Sequence, residues 1–216
     1  MPISVLLVDD HAVVREGLRR ILADYPEIRI VGEAGDGHEA LRQMRKLSPD
    51  VAVVDLSMPG LDGIEVTKLI SKENPKTRVI VLTMHANQDY ATRMLQAGAV
   101  GFIGKGAPGS EIAGAILKVA SQGTYLPPDL LETLPHRMAA GSGEHASPVQ
   151  ALADRELQVL KLLAEGNTGR EIGEHLHLSV KTVDTYRARL LAKLGLETTS
   201  DLIRFAIRNG VIENAW

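Results

Sequence analysis

The sequence contains no cysteine. A disulfide framework, a thiolate metal site and a cysteine nucleophile are thereby excluded, and a reducing, cytoplasmic setting fits. Long apolar runs are missing too, none approaching the roughly 18 residues a membrane helix needs. The N-terminus, Met1-Pro2-Ile3-Ser4-Val5-Leu6-Leu7-Val8, meets Asp9-Asp10 without a basic leader. We therefore expect neither export nor a membrane span. Nor is there a strong charge of one sign: the formal net charge is -3, and acids and bases nearly balance in residues 1–121 and again in 148–216. That argues against a generally basic nucleic-acid coat. One local excess stands out, Lys181, Arg187, Arg189 and Lys193 against Asp184 alone in residues 179–195.

The 216 residues, 44% apolar and 24% charged, are enough for two small domains. In residues 1–121, short apolar runs at 3–8, 28–31, 51–54, 79–82 and 100–103 alternate with amphipathic stretches at 12–23, 37–47, 62–72, 87–97 and 110–121. Short continuous apolar runs suit strands buried on both faces of a parallel sheet, with the helices as right-handed crossovers. The expected fold is α/β, a doubly wound five-stranded parallel sheet. Residues 122–147 read as a linker, rich in Gly and Pro and holding one short helix at about 129–138. Residues 148–216 show only helical periodicity, with a capping box at Thr168-Gly169-Arg170-Glu171, a cap at Ser179 and a stop at Gly195. A small all-α domain is expected there.

The chemistry gathers at strand ends. Asp9 and Asp10 follow the first strand and Asp55 the third, and in a sheet of order 2-1-3-4-5 those strands are neighbours at the switch point, outside whose carboxyl ends ligands bind. Converging carboxylates raise one another's pKa unless a hard cation bridges them, and Mg2+ is the usual intracellular choice. Asp55, in Val53-Val54-Asp55-Leu56-Ser57-Met58-Pro59-Gly60, can attack phosphorus and form an acyl phosphate. Thr83 ends the fourth strand and can donate to one phosphoryl oxygen, and Lys105 follows the fifth and can pair with another. Singly, each residue reads as a turn former, a strand filler or a solvated charge. Together they fall at four strand ends on one edge of the sheet, which chance rarely arranges.

Residues 1–121 resemble the response-regulator receiver family, through Asp9-Asp10, Asp55 with Met58-Pro59-Gly60-Leu61-Asp62-Gly63, Thr83, Ala97-Gly98-Ala99, and Phe102 three before Lys105. The resemblance implies a flavodoxin-like receiver fold and phosphorylation of Asp55 by a sensor histidine kinase. It implies Asp10, Asp55 and the backbone carbonyl of Ser57 as Mg2+ ligands with Asp9 in support, and movement of Thr83 and Phe102 on phosphorylation. Ser57 and His85 occupy places expected to tune hydrolysis of the acyl phosphate; for His85 a loop histidine is preferred to a general base.

In the second domain, Val183, Tyr186, Leu190 and Leu194 share one helix face, which is expected to pack inward. The opposite face shows Lys181, Asp184, Thr185 and Ala188 with Arg189 on a flank, side chains that can meet base edges in a major groove. Arg187 and Lys193 lie toward the flanks, suited to phosphates. A preceding helix at 169–176 and the turn His177-Leu178 complete a helix-turn-helix. Residues 151–211 resemble the LuxR-type helix-turn-helix of the NarL/FixJ subfamily through Asp154-Arg155-Glu156, Val159-Leu160, Glu165-Gly166-Asn167, Glu171-Ile172, Leu176, Ser179, Thr182-Val183 and Lys193-Leu194-Gly195. The resemblance implies a third helix, Thr182 included, that reads double-stranded DNA at promoter half-sites. It further implies a last helix at 199–208 that supports a homodimer on phosphorylation, and it leaves RNA polymerase open as a further partner. Asp184, Tyr186 and Thr199 depart from Lys, His and Arg respectively, so the operator sequence does not follow, and Asp184 stands as a candidate specificity residue.

Three other readings compete. A phosphatase using Asp55 as nucleophile would need an acid/base two residues on, where Ser57 stands. A nucleotide loop through Gly32, Gly35 and Gly37 misses the G-x-G-x-x-G spacing. Output through protein contact in place of DNA keeps the receiver and is separable by gel shift.

Overall fold

The computed structural model describes residues 1–83, 88–127, 148–149 and 151–212, without the side chains of 88–90. The anticipated linker helix and His85 lie outside the described residues. The chain divides into two compact units, Met1–Pro135 and His136–Trp216.

In the first unit the elements run β1 (Ile3–Val8), α1 (Ala12–Leu22), β2 (Ile28–Ala34), α2 (Gly37–Leu47), β3 (Val51–Asp55), α3 (Gly63–Glu73), β4 (Arg78–Thr83), α4 (Gln88–Gln96), β5 (Gly101–Gly104) and α5 (Gly109–Gln122). The five strands form one parallel sheet in the order β2-β1-β3-β4-β5, as the alternation of apolar runs and helices predicts. Successive side chains leave a strand on opposite faces, so each strand feeds two cores. Val5 and Leu7 of β1 pack with Val53, Ile80, Leu82 and Ile103 beneath Leu18 and Leu22 of α1 and Ile112 and Ile116 of α5. Leu6 and Val8 face the other way, with Val54 and Val79, against Leu41 and Met44 of α2 and Val66 and Ile70 of α3. Full burial of an aliphatic side chain of this size is worth roughly 1.5–3 kcal/mol, which makes this two-sided coverage the main support of the unit.

The strand boundaries differ from expectation at β2, which runs on through Gly32, Glu33 and Ala34. Gly32 and Glu33 break the apolar run, yet β2 is an edge strand, where a polar side chain can face water. Its pairing with β1 resumes after a register shift between Val5 and Leu6. A Cβ at Gly32 would lie 2.6 Å from Leu47 Cδ1, so a larger residue there would require that side chain to shift. Gly35 donates its N–H to Glu39 Oε2 at 3.0 Å, and Asp36 caps α2 through Glu39 N–H at 2.8 Å. The glycines after β2 thus serve the strand-to-helix turn, and no phosphate loop forms.

The second unit is all helical among the described residues: α6 (Asp154–Ala164), α7 (Gly169–Leu176), α8 (Val180–Leu194) and α9 (Thr199–Arg208). Side chains satisfy the helix starts that the sequence marks. Thr168 and Glu171 form the capping box of α7, Ser179 Oγ accepts from Thr182 N–H at 3.1 Å, and Thr198 and Asp201 form a second box on α9. The Thr198 hydroxyl, then Arg204, holds the Asp201 carboxyl at about 2, below the ordinary carboxylate range. Leu157 and Leu160 of α6, Ile172 and Leu176 of α7, Val183 and Leu190 of α8, and Leu202 and Ala206 of α9 are buried. Among the described residues no helix is long and apolar enough to cross a membrane.

Candidate functional site

Strand ends build the acidic site. Asp9 follows β1 directly, Asp55 ends β3 beside it, Thr83 ends β4, and Lys105 follows β5, its N–H bonded to Thr83 O at 2.7 Å. Asp9 and Asp55 are each 2% exposed, and Thr83 is fully buried. The Lys105 ammonium reaches across the edge, 2.8 Å from Asp9 Oδ2 and 2.9 Å from Asp55 Oδ2. One cation serves two buried carboxylates. Those two oxygens and Asp10 Oδ1 have no aligned hydrogen-bond donor, although the ion-pair distances are short. All three oxygens are shielded from solvent, and Lys105 offsets the charge of Asp9 and Asp55.

Burial pushes the Asp55 carboxyl above its ordinary value; Lys105 and the Ser57 N–H oppose it, and the Asp9 charge reinforces it. Burial works to lower the Lys105 ammonium, but Asp55 and Asp9 outweigh it and hold the group above its ordinary value. The acids of Asp9, Asp10 and Asp55 and the His11 ring offer ligand atoms that all lie within 4.8 Å of one another, a group able to hold a metal ion. Carboxylate oxygens clustered in this way suit a hard divalent cation.

The loop beneath Asp55 depends on Gly63. A Cβ there would sit 2.3 Å from Asp55 O and 2.7 Å from Leu56 Cα, so the first turn of α3 can press against the end of β3 only with glycine. Gly63 N–H also donates to Leu56 O at 3.1 Å, and buried Asp62 caps α3 through Glu65 N–H at 2.9 Å. The motif Leu61-Asp62-Gly63 thus fixes the backbone at Asp55 and Leu56. Phe102 of β5 is 3% exposed, and its N–H donates to Tyr125 O at 3.0 Å.

In the second unit the turn between α7 and α8 is tight. His177 takes the left-handed conformation at φ 53°, Leu178 N–H donates to Gly173 O at 2.8 Å, and Arg155 Nη2 of α6 donates to Leu176 O at 2.6 Å. That turn sets α8 with Val183 and Leu190 inward and Lys181, Asp184, Thr185, Ala188 and Arg189 exposed. This is the face the sequence pattern predicts. Thr182 is half-buried, its hydroxyl 2.7 Å from Ser179 Oγ within the cap. Thr185 Oγ1 donates back to Lys181 O at 2.9 Å.

Two basic residues are otherwise engaged. Arg187 Nη2 pairs with Asp184 Oδ1 at 2.9 Å, so the two charges partly neutralise each other on the exposed face. Lys193 Nζ lies 2.8 Å from Glu156 Oε2, tying the end of α8 to α6. Burial raises the Glu156 carboxyl, but Lys193 and the Ala153 N–H outweigh it and leave it below its ordinary value. A depressed carboxyl stabilises the fold above its unfolded pKa, about 4.3, and loses that contribution as pH falls through the folded value. Glu156→Gln is thus expected to cost about 1 kcal/mol near neutrality and nothing under strongly acidic conditions, read by urea unfolding at a series of pH values.

The sequence pattern assigns no role to His11, and Arg155 and Glu156 enter it only as part of the LuxR-type resemblance, without their partners. His11 stands next to Asp9-Asp10 and was visible as a histidine beside two acids; the other two act through partners 21 and 37 residues away.

The two halves are recognisable as families. Residues 5–117 match the family described as response regulator receiver domain, and residues 150–206 match bacterial regulatory proteins of the luxR family. The chain belongs to the response regulators that carry a receiver domain and a LuxR-type DNA-binding domain. Its relatives include the response regulator UvrY of Escherichia coli strain K12, 40% identical over 212 residues, 97% of this chain and 95% of that one. The transcriptional regulatory protein LiaR of Bacillus subtilis strain 168 is 41% identical over 215 residues, 97% of this chain and 99% of that one. RcsB from Salmonella enterica serovar Typhimurium, solved bound to promoter P1flhDC in the presence of phosphomimetic BeF3-, matches with TM-score 0.67 at 29% identity, over 95% of this chain and 98% of that one.

Proposed function

We propose that Asp55 accepts a phosphoryl group from a sensor histidine kinase and that this event controls dimerisation and sequence-specific DNA binding by the helical unit, as a transcription factor of the cytoplasm. The observation that carries the reading is the buried pair Asp9 and Asp55 bridged by Lys105, with Asp10 in the same cluster of possible ligand atoms. An Asp55 oxygen attacks phosphorus; the bond from phosphorus to the donor breaks, and its electron pair leaves with the donor. Lys105 neutralises charge on the transferred group, and the Thr83 hydroxyl donates to one of its oxygens. Asp10, Asp55 and the Ser57 carbonyl, with Asp9 in support, would hold Mg2+, which supplies charge neutralisation for the incoming phosphoryl group.

Thr83 and Phe102 carry the change to the rest of the receiver. In the helical unit Lys181, Thr185, Ala188 and Arg189 meet the DNA, with Thr182 at the helix start. Asp184, held by Arg187, offers an acceptor to a cytosine amino group. Paired half-sites are bound by a homodimer, and contact with RNA polymerase belongs to the same reading. The chain is an acceptor and not a turnover enzyme, since Ser57 supplies no acid/base for fast hydrolysis.

A small phosphodonor such as acetyl phosphate tests the input half. With Mg2+ the chain should gain one hydroxylamine-labile phosphoryl group by mass spectrometry, and chelation of the metal with EDTA should abolish the gain. Equal labelling in EDTA would remove the cation from the scheme.

A further inference from the structure

We infer that His11 is a nitrogen ligand of the cation site, so that the site takes borderline divalent cations such as Co2+ or Ni2+ more tightly than an all-oxygen receiver site would. The inference rests on the reading of Asp10 and Asp55 as cation ligands and adds a donor to them. His11 Nδ1 lies 2.9 Å from Asp10 Oδ1 and 3.2 Å from Asp9 Oδ1. Octahedral coordination with bonds of about 2.1 Å puts neighbouring donors about 3.0 Å apart. The ring nitrogen and the Asp10 oxygen therefore stand at the separation of an octahedron's edge, the spacing that two donors to one cation would keep.

The local backbone fixes the ring there. His11 N–H donates to Asp9 Oδ1 at 2.8 Å, and Arg15 Nη1 donates to Asp9 O at 2.6 Å. His11 occupies the N-cap of α1, yet its side chain makes no cap hydrogen bond, so the helix does not use the ring. It is 63% exposed and open to exchange with bulk metal. Imidazole favours Zn2+, Ni2+, Co2+ and Cu2+ over Mg2+, which prefers oxygen and gives up its waters reluctantly. One nitrogen among carboxylates should thus shift preference without abolishing Mg2+ binding.

The test is calorimetric titration of the full, untagged chain with Mg2+ and with Co2+, unaltered and as His11→Ala. Seven histidines are present, so only the Co2+ that excess Mg2+ displaces is counted. The expected result is a loss of about tenfold in that Co2+ affinity with Mg2+ affinity unchanged, on the scale that lost metal-supporting groups produce. Unchanged Co2+ affinity, or an equal fall for both metals, overturns the role of His11 while leaving the oxygen site standing. If neither metal binds the unaltered chain, the cation site itself is overturned and this inference with it. Circular dichroism shows whether the variant is folded, and no helix cap is lost by the change.

Discussion

Asp55→Asn takes up no phosphoryl group from a small phosphodonor and, without divalent cation, melts higher than the unaltered chain. The first effect follows from chemistry: an amide oxygen is not a nucleophile toward phosphorus at neutral pH, and no other described carboxylate shares both the strand end and the Lys105 contact except Asp9. Asp9 accepts the His11 N–H on one oxygen and faces Lys105 with the other, leaving it poorly placed to substitute. The second effect follows from crowding. Asp9 and Asp55 share one close ammonium with Asp10 clustered beside them, and burial already pushes the Asp55 carboxyl up, so removing its charge relieves the fold. A gain of roughly 1 kcal/mol would raise the melting temperature by about 4 °C in a domain of this size. Labelling that persists in Asp55→Asn would move the acceptor elsewhere; a fall in melting temperature would make the Asp55–Lys105 pair a net support of the fold.

Gly173→Ala should strip DNA binding while leaving the labelling of Asp55 intact. A Cβ on residue 173 would lie 2.7 Å from Leu178 O, a backbone atom of the turn that launches α8. The same turn is held by Leu178 N–H on Gly173 O at 2.8 Å and by His177 in the left-handed region. Overpacking that forces backbone to shift costs about 1–3 kcal/mol. Because 1.4 kcal/mol is tenfold in affinity, a displaced recognition helix should lose at least about tenfold in DNA binding by fluorescence anisotropy. Normal DNA affinity in this variant would mean that the turn yields without moving α8.

Much of this was legible in the sequence, for reasons that also mark where legibility ends. Continuous apolar runs identified the buried strands β1, β3, β4 and β5, and the sheet order then placed Asp9, Asp55, Thr83 and Lys105 on one edge. The end of β2 was hidden because Gly32 and Glu33 look like a loop, although pairing with Leu6 and Leu7 holds them in the sheet. The caps at Thr168 and Ser179 could be read directly, since a cap is a local hydrogen bond. Pairings across the chain could not. Nothing around Lys193 announces Glu156, and the face of α8 alone gave Lys193 a phosphate. Asp184 and Arg187 are three apart on one helix, a spacing at which opposite charges meet, so their pairing was available to pattern and went unread.

Phosphorylation control of DNA binding is tested most directly by fluorescence anisotropy on a genomic fragment recovered by selection with the phosphorylated chain. The unaltered protein and Asp55→Asn are each titrated with and without acetyl phosphate and Mg2+. The account predicts tighter binding on phosphodonor addition for the unaltered chain and no response for Asp55→Asn. Equal affinity with and without phosphodonor in the unaltered chain, or a full response in Asp55→Asn, would contradict it.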